Sequence, residues 1–546
     1  MSLYLLRDIG MDILNLEDQL DEKTKLLIYK MEKDIESKDK EIDDLKKELA
    51  FLKGQILNKN RNIFGQSSEQ VDSRQLSLFN DAEKNSDLKI DEPTIEEITY
   101  TRKKSSSHLG KKDNLSGLAR VTIEHKLDES EAVCDKCGNN LVVIGKKSKE
   151  ILKYKPAELY IEEHISYTYA CKNCEADADK SNIISAKMPN TFLYKSMASN
   201  ELLAHFVSMK YQYAMPLYRM ESYFKMMDVN LSRQTLSNCI ISCANELQPV
   251  FDYMKDELLR RNYIHADETY VKVIEENEKD SNSKRFMWLY RSGGIENQII
   301  LYDYLKTRSG TCAEEFLEGF SGYLQTDGYD GYNKVKNIKR LYCMAYIRGK
   351  FFDIISTLNP EALKQSHALE GFNYCEQLYE VEKDLREQYI GCDDYYGDRH
   401  TIMLKKSAPI FNKFKEYVDT EIVNALPKSP LGKALAYAQK LLPNMKTFLT
   451  DGCLEIDNNA AERAIKPFVI GRKNWMFSKT VKGAKSSAVL YSITETAKAN
   501  GLAVEKYLVY LFEMFANSEV KERDILEKCM PWSEGIPDEL RIKTTK

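Results

Sequence analysis

Three acidic residues stand in contexts that suit metal-assisted chemistry on a phosphodiester: Asp267, Asp327 and Glu462. Asp267 follows the run Tyr263–Ala266 and is expected to end a strand; Asp327 follows Gly322-Tyr-Leu-Gln-Thr and is expected to end another. If the two strands are neighbours, their terminal carboxylates converge. Hard oxygen ligands at short range suit Mg²⁺ or Mn²⁺, and the cation relieves their mutual repulsion. A two-metal site can activate a water or a 3′-hydroxyl and steady the leaving oxygen. Glu462 offers a third ligand within Asp457-Asn458-Asn459-Ala-Ala-Glu462-Arg463-Ala-Ile-Lys466-Pro467, which reads as the start of a helix of one or two turns capped by Asp457 or Asn458. Arg463 and Lys466 then fall on neighbouring turns, setting phosphate-binding bases beside the acid. Singly, an Asp-Gly after a strand is an ordinary turn and a helical Glu an ordinary solvated residue; the three together in this order carry the argument.

The surrounding charge supports an anionic partner. The formal net charge is −5, yet Arg463 to Thr494 holds seven Lys or Arg residues and no Asp or Glu. Arg472, Lys473, Lys479, Lys482 and Lys485, with Trp475 among them, form a cationic strip suited to a DNA backbone. Arg308, in the loop after a third strand, is a further phosphate-contact candidate. Upstream, Tyr218–Met227, a break at Asp228-Val-Asn230 and Ser232 as an N-cap have the outline of a helix-turn-helix. Arg233, Gln234 and Thr235 would project from its second helix toward a groove, although most such helix pairs are only packing units.

Elements of matching type can position these residues. Strands at Tyr263–Ala266, Phe286–Arg291 and Gln298–Tyr302, a helix at Thr311–Phe320, a strand ending near Asp327 and another at Arg340–Tyr346 form the order of a ribonuclease-H-like α/β core. At 546 residues the chain is multidomain. The expected divisions are a coiled-coil dimerisation helix (1–60), a short motif and linker (61–118), a zinc-binding β module (119–190) and a helical, DNA-binding region (191–260). The catalytic core follows in two parts (261–351 and 451–515) around an α-helical insertion (352–450), and a tail (516–546) closes the chain. The coiled coil rests on Ile28, Met31, Ile35, Lys38, Ile42, Leu45, Leu49, Leu52 and Ile56, a 3.5-residue seam apolar everywhere except Lys38. The alternative is an amphipathic helix packing on its own protein. In the β module, Cys134-Asp-Lys-Cys137-Gly138 and Cys171-Lys-Asn-Cys174 have the spacing of two zinc knuckles, with an alternating segment, Tyr154–Tyr169, between them. The 33 intervening residues exceed a simple ribbon and call for an inserted hairpin. No apolar run reaches a membrane-span length, and the N-terminus has no signal-peptide core, so a cytoplasmic, nucleoid-associated protein is expected.

With these motifs in place, the chain resembles the transposases of the insertion-sequence-sixty-six family, of the Asp-Asp-Glu (DDE) class, over nearly its whole length. The resemblance includes Phe64-Gly65-Gln66-Ser67-Ser68-Glu69, Leu76-Ser-Leu-Phe79, the paired CxxC module, Met215-Pro-Leu-Tyr-Arg219 and Leu231-Ser-Arg-Gln-Thr-Leu236. It continues through His265-Ala-Asp267-Glu-Thr269, Gln325-Thr-Asp327-Gly-Tyr329 with Tyr332-Asn333, Asp457-Asn-Asn459 to Lys466-Pro467, Ile470-Gly-Arg-Lys-Asn-Trp475, and Leu490-Tyr-Ser492 to Lys498-Ala-Asn-Gly501. It implies that Asp267, Asp327 and Glu462 are the catalytic triad, that a mostly helical insertion separates the last two, and that accessory proteins of the same element take part. One stretch departs: where relatives carry a Cys-Trp-Ala-His-Ala-Arg-Arg-Lys-Phe-like run, this chain has Cys343-Met-Ala-Tyr346-Ile-Arg348-Gly-Lys350-Phe351. The His and one Arg of that run are thus replaced here by Tyr346 and Gly349.

The expected function is metal-dependent DNA cleavage and strand transfer at element ends. Zinc would serve structure, and a coiled coil would pair two protomers for the two ends. The alternatives are a catalytically weak DNA-binding protein that recognises terminal repeats, and a metal-dependent nuclease without strand transfer.

Overall fold

The structure, a computed structural model, describes residues 157–170, 183–194, 196–277, 285–389, 394–517 and 523–542, together with residue 122 and positions between 29 and 42. The four cysteines of the CxxC pairs, the 61–118 segment and most of the heptad seam lie outside the described residues. Those described between 29 and 42 are helical, and Met31, Ile35 and Ile42 of the seam are exposed.

Residues 191–541 form one compact unit, and those described between 157 and 190 belong to another. The second unit contains a two-stranded antiparallel ribbon, β1 (Thr168–Ala170) and β2 (Ile183–Ser185). The alternating segment read as strand is mostly not one: residues 157–167 have no regular structure, and pairing starts at Thr168. Alternation alone does not make a strand without a partner for its backbone groups.

In the 191–541 unit four helices come first: α1 (Asn200–Tyr211), α2 (Leu217–Lys225), α3 (Arg233–Glu246) and α4 (Gln248–Leu259). Asp228, at φ 59°, turns the chain between α2 and α3, and the Ser232 hydroxyl accepts the N–H of Thr235 to cap α3. The sheet follows: β3 (Tyr263–Val271), β4 (Arg285–Ser292), β5 (Ile300–Leu305), then helix α5 (Gly310–Phe316), β6 (Gly322–Gln325) and β7 (Ile338–Leu341). The strand order is β5-β4-β3-β6-β7; β3, β4 and β5 pair antiparallel, whereas β6 and β7 run parallel to β3. Met287, Trp288, Leu289 and Tyr290 of β4 are all fully buried, as expected of a strand covered on both faces.

Between β7 and the Asp457 segment runs a helical stretch: α6 (Met344–Ile355), α7 (His367–Tyr389), α8 (Tyr395–Ile402), α9 (Ala408–Asn424) and α10 (Pro430–Met445). Residues 344–346, read as the end of a strand, instead open α6, because β7 stops at Leu341. Then come α11 (Asn459–Trp475), α12 (Val481–Ala499) and α13 (Val504–Asn517). The C-terminal segment is packed: the Ala503 N–H donates to Leu540 O, and the Tyr507 hydroxyl to Cys529 O.

Two apolar cores share the sheet. One joins α1–α4, α11, α12 and α13 to β3–β5; the other is built by α6, α7, α9 and α10 with Tyr263 and Leu341. The second is tied to the segment before α11 by Arg399. Its guanidinium donates to the carbonyls of Gly452 and Leu454 and to the Glu382 carboxylate at 2.6 Å, both charges being almost wholly buried. Removing one partner of a buried ion pair costs about 3–5 kcal/mol, whereas an apolar pair of similar volume can replace both. Arg399→Met is therefore expected to lower the denaturant midpoint markedly, and Arg399→Met with Glu382→Leu to recover only part of the loss, because the Gly452 and Leu454 carbonyls stay unpaired; denaturant titration reads both.

Candidate active site

The register of β3 with β6 brings the first two acids together. His265 lies opposite Gln325 in this parallel pair, so two further residues along each chain set Asp327 beside Asp267. Asp267 does not end its strand as expected: β3 continues to Val271 because β4 keeps pairing with it, Asp267 lying opposite Leu289. The first four residues of β3 are buried, the next three half-buried, and of the rest only Tyr270 is exposed.

Asp327 is set by its loop. Its Oδ1 accepts the N–H of Tyr329 at 2.9 Å. The buried guanidinium of Arg340 on β7 donates to Thr326 Oγ1, to the carbonyls of Asp327 (3.0 Å) and Tyr329, and to Asn333. The following turn must come close to α5: a Cβ at Gly310 would lie 2.1 Å from the carbonyl oxygen of Gly331, so a side chain there would push the Asp327 loop away.

Glu462 sits in the first turn of α11, and Asn458 hooks that turn onto β3. The Asn458 side chain bonds His265 Nδ1 at 2.9 Å and donates to Ala266 O at 2.9 Å, one residue before Asp267. Its own N–H donates to Cys343 Sγ, and Asp457 Oδ1 accepts the N–H of Asn459. Helix α11 is longer than the one or two turns expected and runs 17 residues through Pro467. Its buried stripe of Ala461, Ala464, Ile465 and Phe468 offsets the interruption by packing on the sheet, where the Tyr302 hydroxyl adds a bond to the Ala464 carbonyl.

Electrostatics report the convergence. Burial first, then the charges of Glu268, Glu462 and Asp327, raise the Asp267 pKa well above the usual carboxylate range. Burial and Asp457 raise that of Glu462, while a hydrogen bond from the Tyr346 phenol works the other way. Burial pushes the pKa of His265 down to about 4, so the imidazole is neutral. Arg308 stands among the acids: its guanidinium pairs with Glu268, lies 3.7 Å from Asp327 and covers the Tyr329 ring at 4.0 Å. Among the described residues, no three His, Cys, Asp or Glu side chains are gathered closely enough to hold a metal ion as they stand. The donors are nonetheless hard oxygens that raise one another's proton affinity, a repulsion that a divalent cation relieves.

Sequence reasoning missed Glu268, Tyr332 and Arg340, and it read Tyr346 only as a departure. Glu268 is buried, with the Tyr332 hydroxyl on Oε2 and Arg308 on Oε1. Its position next to Asp267 was the available signal; no spacing reveals that Tyr332, 64 positions on, reaches back to it. Arg348 of the departing stretch pairs with Glu376 on α7, away from the carboxylates, whereas Tyr346 stays beside them.

The basic candidates divide. Arg463, Lys473, Lys479 and Lys482 are exposed and Lys466 is half-buried. Arg472 is turned inward, donating to Thr269 Oγ1 and Tyr270 O of β3. Lys482 and Lys485 line a cleft of about 950 Å³ with Asn238 and Asn245 of α3. On α3, Arg233 is mostly exposed and pairs with Glu221 at 3.1 Å, Gln234 donates to Asn238, and Thr235 shares the cap with Ser232.

Comparison with known proteins settles the family. The profile described as "Transposase IS66 family" matches residues 195–486, more than half the chain and all three acids. This chain is a member of the IS66 transposase family. Within it, a zinc-finger binding domain of transposase IS66 matches residues 131–175, a span that includes both CxxC pairs, so the chain carries the family's zinc-binding module. A domain described as "Transposase C of IS166 homeodomain" matches residues 52–123. Two similar proteins of Sinorhizobium fredii are the uncharacterized proteins y4jD and y4qI. The first is 28% identical over 74% of this chain and 79% of its own length, and the second 27% identical over 74% of each. Among the described residues no helix of this transposase is long and apolar enough to cross a membrane.

Because Asn458 satisfies two buried polar groups on β3, Asn458→Ala is expected to destabilise the transposase by about 1–3 kcal/mol. Denaturant unfolding of the full chain measures it, and an unchanged midpoint would contradict the hook.

Proposed function

We propose that this transposase cleaves and joins DNA by DDE chemistry, with Asp267, Asp327 and Glu462 as the acids of a ribonuclease-H-like core. What supports this reading is that β3, β6 and the first turn of α11 are joined at one place and that the Asp267 carboxyl feels the charges of both Glu462 and Asp327. The strand order β5-β4-β3-β6-β7 supports the fold reading. The three acids would hold Mg²⁺ or Mn²⁺, which when bound supplies positive charge to the attacking water or 3′-hydroxyl and to the leaving oxygen. Arg308 offers a guanidinium to a phosphate oxygen at the same place, Arg340 fixes the loop of Asp327, and the Tyr346 phenol orients Glu462. Arg463, Lys466, Lys473, Lys479 and Lys482 carry the backbone of an element end, and Arg233, Gln234 and Thr235 face a groove. Cys134, Cys137, Cys171 and Cys174 hold one structural Zn²⁺, and the N-terminal seam pairs two protomers, with accessory proteins of the same element as further partners.

A second reading, recognition of terminal repeats without joining them, is favoured by Arg308, a cation standing among acids that are not drawn together as ligands. A strand-transfer assay with DNA ends from the gene's own flanks and Mg²⁺ or Mn²⁺ separates the two. Joined product is expected from the wild type and should fall by on the order of 10²-fold or more in Asp267→Asn, Asp327→Asn or Glu462→Gln, the scale on which losing a charge-stabilising group acts. End binding without nicking or joining, equal in wild type and variants with accessory proteins supplied, would establish the second reading.

Backbone contact has its own signature. Lys479→Gln and Lys482→Gln should each reduce the slope of log affinity against log salt by about 1, for any DNA sequence. Unchanged slopes would remove these two lysines from the interface.

A further inference from the structure

The turn between α11 and α12 is built unlike the surface around it. Met476 has a positive φ, 68° with ψ −40°, and the Phe477 N–H closes a tight turn onto Trp475 O, a conformation non-glycine residues adopt at a cost. The residue is 67% exposed and the next one, Phe477, 43%. The turn is nevertheless firmly anchored. The Met476 N–H donates to Arg472 O, the Ser478 N–H to Lys272 O, and the N–H groups of Ile274 and Glu275 to Ser478 O and Lys479 O. On the other side, Asn474 Nδ2 donates to Ala214 O, itself at φ 54°, next to exposed Tyr213. A rigid base therefore presents two large apolar side chains to solvent.

The charge around this turn selects the occupant. Lys272, Lys473 and Lys479 are exposed beside it. Among the described side chains there, the carboxylate of Glu275 is turned onto the Val481 N–H at the start of α12. An apolar tip set among cations is poorly suited to an apolar protein face, which would have to desolvate the lysines, and well suited to DNA. There, apolar wedges enter between base steps while cations meet the flanking phosphates. Along α11 the turn lies about 20 Å from Glu462, which is about six base pairs of duplex.

We propose that Met476 and Phe477 form a wedge that inserts at one base step of the bound DNA end, unstacking it a fixed distance from the cleavage position. The inference rests on DNA being the substrate of the carboxylate site, as proposed above. It assigns the turn a role in deforming the duplex that the acids and the lysines do not fill.

The test uses the full chain and a duplex of the element end carrying 2-aminopurine, moved one position at a time through the first ten or so base pairs. Wild type is expected to raise the fluorescence several-fold at one step or two adjacent steps. Met476→Ala with Phe477→Ala should lose most of that rise and bind the intact duplex about 5–100-fold more weakly, the range for a lost base-stacking contact. The same variant should lose little affinity for a duplex already mismatched at that step. Phe477→Trp, which keeps a flat apolar side chain, should retain the rise. DNA that is bound and cut by wild type with no fluorescence rise at any position overturns the wedge and leaves the transposase reading standing, as does a rise that persists in the double variant. Failure of the wild type to bind the duplex at all overturns both.

Discussion

Carboxylates brought together in a partly buried site repel one another, and nothing in their own chemistry keeps them there. In this transposase the restraint comes from neutral and cationic groups beside them. Asn458 bonds both His265 and Ala266, so the first turn of α11 cannot leave β3 without stranding two buried polar groups. Arg340 does the same for the Asp327 loop with a guanidinium that reaches four acceptors. The elements that carry the acids are held by their neighbours' hydrogen bonds, and the acids add bonds of their own: Asp267 Oδ1 accepts the Glu268 N–H and Asp327 Oδ1 the Tyr329 N–H.

This arrangement explains why the helical stretch from α6 to α10 can be inserted between Asp327 and Glu462 without disrupting the site. The chain leaves the sheet after β7 and returns through residues 451–458. That return is tied at both ends, by Arg399 to the carbonyls of Gly452 and Leu454 and by Asn458 to β3. The inserted helices have an apolar core of their own, with Tyr263 and Leu341 of the sheet at its edge, so their packing supports the return path.

Tyr346 and Arg308 illustrate how one site accommodates changes in its lining. Tyr346 sets a neutral phenol against Glu462, and Arg308 sets a permanent cation against Glu268 and Asp327. Each moderates the charge of the acids by a different means: a hydrogen bond in one case, an ion pair in the other.

Much of the chemistry was legible in the linear chain. The three candidate acids, the short aromatic and β-branched runs that became β3, β4 and β5, the Ser232 cap and the cationic run after Glu462 depend on local composition and spacing, which a sequence displays directly. Element ends were less legible, because they depend on partners. β3 passes Asp267 since β4 continues beside it, and α11 passes Pro467 since its apolar stripe has a sheet to rest on. Glu268, Tyr332 and Arg340 entered the site only through folding, since their contacts cross long stretches of chain or adjacent strands. The sequence by itself determined which groups are capable of chemistry and which segments favour strand or helix, because those are properties of residue type and period. Only the tertiary structure decided which acids meet, which cation stands between them and which apolar side chains remain in solvent, because contacts between distant segments are set by packing and register.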